Sequence, residues 1–319
     1  MSREDSPLVR EVSPDEGYTY MHRAFLHAFL THSVMTVDEV KPILATVMTA
    51  KNPDRPWTAG DVTAPHITST LQTINAKLSS YDFEIRSTKD QHTKLTLYAL
   101  VNKTSDALTQ LATKFSPAEI AYIRRVLDAM FETNNTHTRE VMALKHTEAS
   151  NLARPRRNRQ SQINADEDAT QTTDAGISIP EADLVLTSLV HSSFLQKSRA
   201  QYFSLAPRAL MELRGYLKET YNDPPFSDDP VIRIRDCEGC REIVTHGIRC
   251  NNRECGVRWH DACASSYYRG RGGGNRKCPS CDKECTGDAY VGERADKVAR
   301  GSTGGRRSAV EVEEEEGSE

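Results

Sequence analysis

Cysteine is absent from most of this chain, and long apolar runs are absent from all of it. All 8 cysteines of the 319 residues lie between Cys237 and Cys285, so disulfides cannot staple the remaining sequence. No run approaches the ~18 apolar residues of a membrane span, and no apolar stretch of a signal peptide follows the charged N-terminus. We therefore expect no membrane span and no secretory signal, and a reducing compartment.

A large net charge of either sign is also absent. The formal value of −4 at pH 7 argues against wholesale coating of nucleic acid but leaves room for local basic patches. Hydrophobic residues make up only 37% of the chain, so we expect part of it to remain unpacked. The expected unpacked segments are a flexible N-terminus 1–16, a disordered insertion at about 149–176, a linker 223–235 and a disordered, acidic-ended tail 288–319.

Residues 17–103 have the element order of a winged helix, which is three helices followed by a β-hairpin. An apolar stripe predicts the first helix, and Thr36 with Glu39 predicts a capping box at the start of the second. After the third helix the hydrophobic period changes to two, over 83–86 and 95–99, which predicts a pair of strands. We interpret this segment as winged-helix domain A.

Residues 104–222 repeat that order less regularly. Ser116, Pro117 and Glu119 supply the N-cap, the first-turn proline and the third-position glutamate of a helix. The remaining predictions are a short helix over 138–146, a helix opening at Ile179, two short strands near 194–195 and 202–205, and a closing helix from Pro207. We interpret this segment as winged-helix domain B, interrupted by the insertion.

The cysteines themselves form a regular pattern with one histidine. It runs Cys237-x2-Cys240-x9-Cys250-x4-Cys255-x4-His260-x2-Cys263-x14-Cys278-x2-Cys281. Four pairs of sulfur and imidazole ligands suit two tetrahedral Zn²⁺ ions, and a closed set of four leaves no position for a catalytic water. We predict two structural zinc ions per chain and no covalent catalytic residue. Cys285 is left over as a free thiol, with competition against Cys281 for the ligand position as the alternative.

This ligand order, four cysteines, one histidine and three cysteines, is typical of two cross-brace families, the plant-homeodomain finger and a RING variant. In both families, ligand pairs one and three hold one ion, and pairs two and four hold the other. The predicted sets are Cys237, Cys240, His260 and Cys263 for zinc 1, and Cys250, Cys255, Cys278 and Cys281 for zinc 2. The Cys278-Pro279-Ser280-Cys281 ending resembles the RING variant, so residues 236–287 are interpreted as that domain. A histone-tail reader of the plant-homeodomain type stays as an alternative, although Arg276 stands where that family typically has an aromatic residue.

The RING resemblance implies a ubiquitin ligase that binds a charged ubiquitin-conjugating enzyme and acts by proximity and orientation. The docking residues that it implies are Glu238, Gly239, Ile243, Val244, Pro279 and Ser280. Active RINGs usually have an aliphatic residue where Glu238 and Gly239 stand, and often a basic residue where Asp282 stands. We therefore expect weak intrinsic activity.

Over about residues 18–150 and 178–285, which leaves out the insertion and both termini, the chain resembles the non-SMC element 1 family, the RING-bearing subunit of an SMC-type chromosome complex used in recombinational DNA repair. The stretches that carry the resemblance are His22-Arg23-Ala24-Phe25-Leu26, Phe83-Glu84-Ile85-Arg86, Tyr98-Ala99-Leu100-Val101-Asn102, Phe115-Ser116-Pro117-Ala118-Glu119-Ile120, and 205–213. The resemblance implies tandem winged helices that bind a MAGE-type winged-helix partner, which in turn contacts a kleisin-like subunit and, through the complex, SMC proteins. It also implies a nuclear, chromatin-associated location and a ligase that depends on its partner.

The predicted fold is therefore mainly α with small β wings, as tandem winged-helix domains followed by a two-zinc cross-brace domain. The leading hypothesis is a RING-type E3 ubiquitin ligase subunit of an SMC complex. Its alternative is a non-enzymatic, zinc-stabilised scaffold subunit of that complex. The third predicted helix of domain A offers only His66 and Lys77 as basic groups, so binding of protein is favoured there over binding of DNA.

Overall fold

The computed structural model describes residues 17–103, 114–155, 176–224, 226–227, 230–270 and 276–296. The chain divides into two compact units, Met1–Ser105 and Asp106–Glu319. The predicted flexible N-terminus lies outside the described residues, as do the middle of the predicted insertion and the end of the predicted tail. Among the helices of the described ranges, none is long and apolar enough to cross a membrane.

The first unit has the predicted order of three helices followed by a hairpin, with one extra short strand. Its elements are α1 (Tyr20–His32), β1 (Val34–Thr36), α2 (Val37–Lys51), α3 (Ala64–Leu78), β2 (Phe83–Lys89) and β3 (Thr96–Asn102). The strands form one antiparallel sheet in the order β1-β3-β2, with Val34 opposite Ala99 and Ile85 opposite Leu100. The extra strand β1 thus places the start of α2 at the edge of the hairpin.

Local hydrogen bonds explain where these elements begin and how they meet. The Thr36 backbone N–H donates to Glu39 Oε2 at 2.7 Å, and Glu39 N–H donates back to Thr36 Oγ1 at 3.3 Å, which forms the predicted capping box of α2. The Asn75 side chain pairs with both backbone groups of Ile85, at 2.9 and 2.7 Å, and so fixes α3 against β2. Phe25 and Phe29 of α1 pack edge to face in the hydrophobic core of the first unit.

The second unit contains the remaining helices and two β-sheets. Its elements are α4 (Pro117–Asp128), a π-helical turn (Ala129–Thr133), β4 (Asn135–Thr136), β5 (Arg139–Glu140), β6 (Leu144–Lys145), α5 (His146–Asn151), α6 (Ile179–His191), β7 (Leu195–Lys197), β8 (Tyr202–Leu205), α7 (Pro207–Glu212), α8 (Arg214–Tyr221), β9 (Gly247–Arg249), β10 (Arg258–Trp259), α9 (Asp261–Arg269) and β11 (Tyr290–Val291). Strands β6, β8 and β7 form one antiparallel sheet, and the other five form a second. The predicted wing strands and the helix from Pro207 are present, although that helix is broken before Arg214.

The short helix predicted over 138–146 is wrong. This segment instead contains β5 and β6, and α5 begins only at His146. The four residues between Glu140 and Lys145 are all buried, so the segment lacks the one-sided pattern of a surface helix. Extended backbone lets Arg139 and Glu140 pair with β4 on one side, while Glu140 pairs with Val291 of β11 on the other.

One five-stranded sheet joins the cysteine-rich segment to the strands that follow α4. Its order is β10-β9-β11-β5-β4, in which β11 is antiparallel to β9 and parallel to β5. The prediction that residues 288–319 form a disordered tail is therefore wrong for 288–296. Val291 is fully buried in this sheet, and Gly292 follows it at φ +91 with no room for a Cβ, which would lie 2.6 Å from the Thr245 carbonyl oxygen.

The predicted linker and insertion also contribute ordered residues. Ile234, expected in the linker, is buried, and so are Ala149 and Ala153, expected at the start of the insertion. All three lie in a single hydrophobic cluster that runs from α4 and α6 into the cysteine-rich segment. The helices and the cysteine-rich segment of the second unit thus share one hydrophobic core.

Candidate metal centre

The first group of candidate ligands is built from a turn and the start of a helix. Cys237 and Cys240 lie on the turn that the Asp236–Ile243 bridge closes, His260 is the N-cap of α9, and Cys263 lies in its first turn. The four ligand atoms all lie within 4.8 Å of one another. Cys240 Sγ approaches His260 Nδ1 at 3.2 Å.

The second group is built from two loops. Cys250 follows β9 directly, and Cys255 lies in the loop that leads to β10. Cys278 and Cys281 lie on the turn after α9, whose Asp282 N–H donates to the Cys278 carbonyl oxygen at 3.1 Å. The four sulfur atoms lie within 4.8 Å of one another, with separations of 3.5 Å for Cys250–Cys281 and 3.6 Å for Cys255–Cys278.

These separations fit a tetrahedral zinc ion. Zinc–sulfur bonds of about 2.3 Å at tetrahedral angles put sulfur atoms about 3.8 Å apart, close to both observed distances. The donors are seven sulfurs and one imidazole nitrogen, which bind zinc in preference to magnesium or calcium. Both groups are therefore suited to Zn²⁺.

Backbone groups orient the candidate ligands. The N–H groups of Gly239 and His260 donate to Cys237 Sγ, and that of Asn252 donates to Cys250 Sγ, each at 3.4 Å. On the histidine, Nε2 lies 3.2 Å from the Ile243 carbonyl oxygen, which can only accept. The proton therefore belongs on Nε2, and Nδ1 is left free to bind a metal from the side of Cys240.

The thiol pKa values show why the three thiols of the first group need a cation to ionise together. Burial, together with charge on Cys237 and Cys240, raises the pKa of Cys263 to about 12. Burial also acts upward on Cys237, but hydrogen bonding to His260 and to nearby backbone N–H groups outweighs it and lowers that pKa to about 6. One thiolate is thus stable in the first group, while further thiolates repel it unless a divalent ion binds between them.

The structure places the eight predicted ligand side chains in the two sets that cross-brace pairing requires. Cys285 belongs to neither set and is buried against the shared core. His246, which the sequence gives no distinctive role, lies with Nε2 3.6 Å from Asp261 Oδ2.

The predicted docking residues divide into two classes. Gly239, Pro279 and Ser280 are exposed and Glu238 is half-buried, so these four remain candidates. Including Ile243 and Val244 was wrong, since they are only 2% and 1% exposed. Both side chains pack in the core that the cysteine-rich segment shares with the helices, and a core of that kind cannot be seen from the ligand spacing.

Sequence reasoning missed a buried ion cluster beside the second ligand group. Arg258 of β10 forms a two-pronged contact with Glu140 of β5, at 2.7 Å from Nε and 2.5 Å from Nη2. Arg249 of β9 reaches the same carboxylate at 3.1 Å. One feature of the sequence could have indicated this cluster. Glu140 directly precedes an apolar run, and a carboxylate buried beside such a run needs a partner of opposite charge.

Two clusters of zinc-type ligands in one small module, behind a helix-rich region, define a protein of the RING-like zinc-binding class, and a RING-like domain profile matches residues 237–281. The family profile described as Nse1 non-SMC component of SMC5-6 complex matches residues 22–213. That match covers more than half of the chain, so the chain belongs to the Nse1 family.

Individual relatives agree with this assignment. The chain is 25% identical over 264 residues to the human non-structural maintenance of chromosomes element 1 homolog, covering 83% of each chain. It is 23% identical over 194 residues to the Schizosaccharomyces pombe non-structural maintenance of chromosomes element 1, covering 60% of this chain and 68% of that one. A chain in a solved structure titled "Nse1-Nse3-Nse4 complex" has a similar fold, with a TM-score of 0.61, 20% identity, and coverage of 84% of this chain and 97% of that chain.

Proposed function

We propose that this chain is a RING-type E3 ubiquitin ligase subunit of an SMC chromosome-maintenance complex that acts in DNA repair by recombination. The observation that carries the proposal is the RING-like module, whose two ligand sets are both complete, in a chain of the Nse1 family. The two ions are structural in this proposal. The eight cysteine and histidine side chains would fill their coordination, so bound zinc would hold the module in shape and take no part in transfer.

The mechanism follows from what the exposed residues can do. The turns that carry Gly239 and Pro279 are each fixed by two candidate metal ligands, so bound zinc would hold both turns rigidly. A conjugating enzyme docked on them would present its ubiquitin thioester to an incoming lysine in a fixed orientation, which is a proximity effect. Transfer runs directly from the conjugating enzyme to the lysine, so this chain needs no nucleophile of its own.

The helical parts supply the partner surface in this proposal. Two winged-helix domains are supported by the element order of the first unit and by the helices and short strands at 117–221. A similar fold in a structure titled "Nse1-Nse3-Nse4 complex" supports a MAGE-type winged-helix partner of the Nse3 kind and, through it, a kleisin-like subunit of the Nse4 kind. A nuclear, chromatin-associated location and partner-dependent activity belong to the same proposal.

The ligase proposal is tested by ubiquitin transfer. The full chain, alone and with a MAGE-type partner, is added to a panel of charged conjugating enzymes, and loss of the thioester is followed over time. We expect zinc-dependent discharge, reduced about tenfold by Pro279→Ala because the docking turn loses its fixed shape. Pro230→Ala is the matched control, since Pro230 is exposed and lies outside the cysteine-rich segment.

A non-enzymatic scaffold is the second candidate, and the buried Ile243 and Val244 favour it. These side chains fix the cysteine-rich segment to the helical core, as expected of a module that buttresses a partner interface. Glu238 and Asp282 stand where active RINGs have other residue types, which favours the same candidate. Absence of discharge with every enzyme, in a chain that still assembles with its partner, would replace the ligase proposal with the scaffold.

A further inference from the structure

A cavity of about 510 Å³ lies on the cysteine-rich part of the second unit, and none of the eight candidate metal ligands is among its described lining residues. Its walls come from α9, from the loop before Cys278 and from the strand and helical turn at 290–294. At about 30 Å³ per water, the space holds roughly 17 water molecules, so a single small ion would leave most of it empty. The cavity is therefore sized for a larger ligand.

The walls are strongly basic. Among the described lining residues they contain Arg269, Arg276 and Arg294, with Asp261 as the one acidic residue, so three positive charges against one negative leave a net charge of +2. Arg269 and Arg276 are exposed, and within the described ranges neither has an acidic partner. Two guanidinium groups are thus available to an incoming anion.

The third arginine gives the cavity a rigid wall. Arg294 Nη2 donates to Asp261 Oδ1 and Oδ2, at 2.9 and 3.0 Å, and to the Gly247 carbonyl oxygen at 2.9 Å. Its guanidinium lies 4.6 Å from the ring centroid of Tyr290. The charges of Arg294 and Asp261 therefore largely neutralise each other. The positive electrostatic field in the cavity comes mainly from Arg269 and Arg276.

The chain carries an anionic segment within reach of this cavity. Five glutamates lie in residues 311–316, namely Glu311, Glu313, Glu314, Glu315 and Glu316. Arg294 is two residues before Asp296, the last described residue, and the glutamates begin 15 residues after Asp296. A 15-residue connection spans up to about 50 Å when extended and averages about 20 Å when flexible. Tethering at that distance gives an effective concentration on the order of millimolar.

We propose that this cavity is an acidic-peptide site and that residues 311–316 of the same chain occupy it. Guanidinium groups bind carboxylates through paired hydrogen bonds, and a run of glutamates supplies several carboxylates at adjustable spacing. An acidic segment of another protein would reach the cavity only by displacing the tethered one.

The test measures binding of a labelled peptide of residues 308–319 to the full chain by fluorescence anisotropy at low salt. In one variant all five glutamates are changed to glutamine, so the tethered segment no longer competes. We expect this variant to bind the added peptide about tenfold more tightly than the unchanged chain does. Adding Arg269→Gln and Arg276→Gln to that variant should weaken binding by about fivefold or more.

The control removes the same charge elsewhere. Arg241→Gln and Arg253→Gln alter two exposed arginines outside the cavity, and in the five-glutamine variant they should leave affinity almost unchanged. Equal loss with both arginine pairs would show general charge attraction and overturn the proposal. Equal affinity of the unchanged and five-glutamine chains would overturn it too, and so would displacement of the peptide by inorganic phosphate at matched charge concentration. The assay reads no ubiquitin transfer, so its outcome is independent of the ligase proposal.

Discussion

Glu140 of β5 links two parts of the second unit, the strands that follow α4 and the cysteine-rich segment. Its carboxylate accepts from Arg258 and Arg249, and all three side chains are less than one-tenth exposed. Arg258 also donates to the Cys255 and Val257 carbonyl oxygens at 2.8 Å, so the ion cluster reaches the loop that presents a candidate ligand. A buried ion pair contributes little net stability, but losing one partner leaves the other charge unsolvated.

Replacing Glu140 should therefore be costly. Glu140→Gln keeps the shape but leaves two buried arginines without their counter-charge, and we expect the free energy of unfolding of the second unit to fall by about 3–5 kcal/mol. Denaturant titration of the full chain measures this. Glu254→Gln, at an exposed glutamate, is the control and should change stability by less than about 0.5 kcal/mol. Equal effects of the two variants would contradict this account of the cluster.

At the residue scale, the candidate ligands could be predicted because metal chemistry imposes fixed residue types at fixed spacings. The roles of Ile243 and Val244 could not, because their burial depends on helices that lie distant in the sequence. In α6, Leu184 is 70% exposed although it is a large apolar residue, since Ala182, Val185, Leu186 and Leu189 form the buried side of the helix.

At the element scale, β11 is the feature that the sequence concealed. Only Tyr290 and Val291 form the strand, which is too short for any alternation to be recognised. Its partners are β9 and β5, so the strand can be recognised only once the positions of both partners are known. The fold of the first unit was easier to predict because its helices and hairpin form from nearby residues and carry their own start signals, as at Thr36 and Glu39.

Truncation tests the importance of β11. Stopping the chain after Gly287 removes the buried Val291 and also Asp296, which accepts from Tyr202 at 2.5 Å and pairs with Lys145 at 3.2 Å. We expect a loss of roughly 3 kcal/mol or more in stability from lost apolar burial and lost hydrogen bonds. Stopping after Asp296 keeps these contacts and should lower the thermal unfolding midpoint of the second unit by much less. Equal midpoints for the two truncations would refute a structural role for 288–296.

At the scale of the whole molecule, the cysteine-rich segment is part of a larger folding unit. Its core is continuous with that of α4 and α6, and its sheet includes β4 and β5. The division into domains 104–222 and 236–287 stays a prediction, and the two segments share one hydrophobic cluster. Loss of metal from the ligand sets should therefore spread into the helices of the second unit and spare the first.

Hydrogen exchange after chelation measures that spread. On treatment with a zinc chelator, we expect amides of α4 and α6 to lose protection together with those around Cys250 and Cys278. Amides of α1 to α3 should keep theirs, because the first unit has its own core. The same chelator with excess zinc serves as the control. Full protection of α4 and α6 in the metal-free chain would show that the shared core does not depend on the metal.

The most direct test of the central claim is a count of zinc ions in the folded full chain by native mass spectrometry. We predict two per chain, and one in either Cys240→Ser or Cys281→Ser, since these residues belong to different ligand sets. A folded chain that carries no zinc, or whose cysteines are paired as disulfides, would contradict the claim that two metal ions hold this module together.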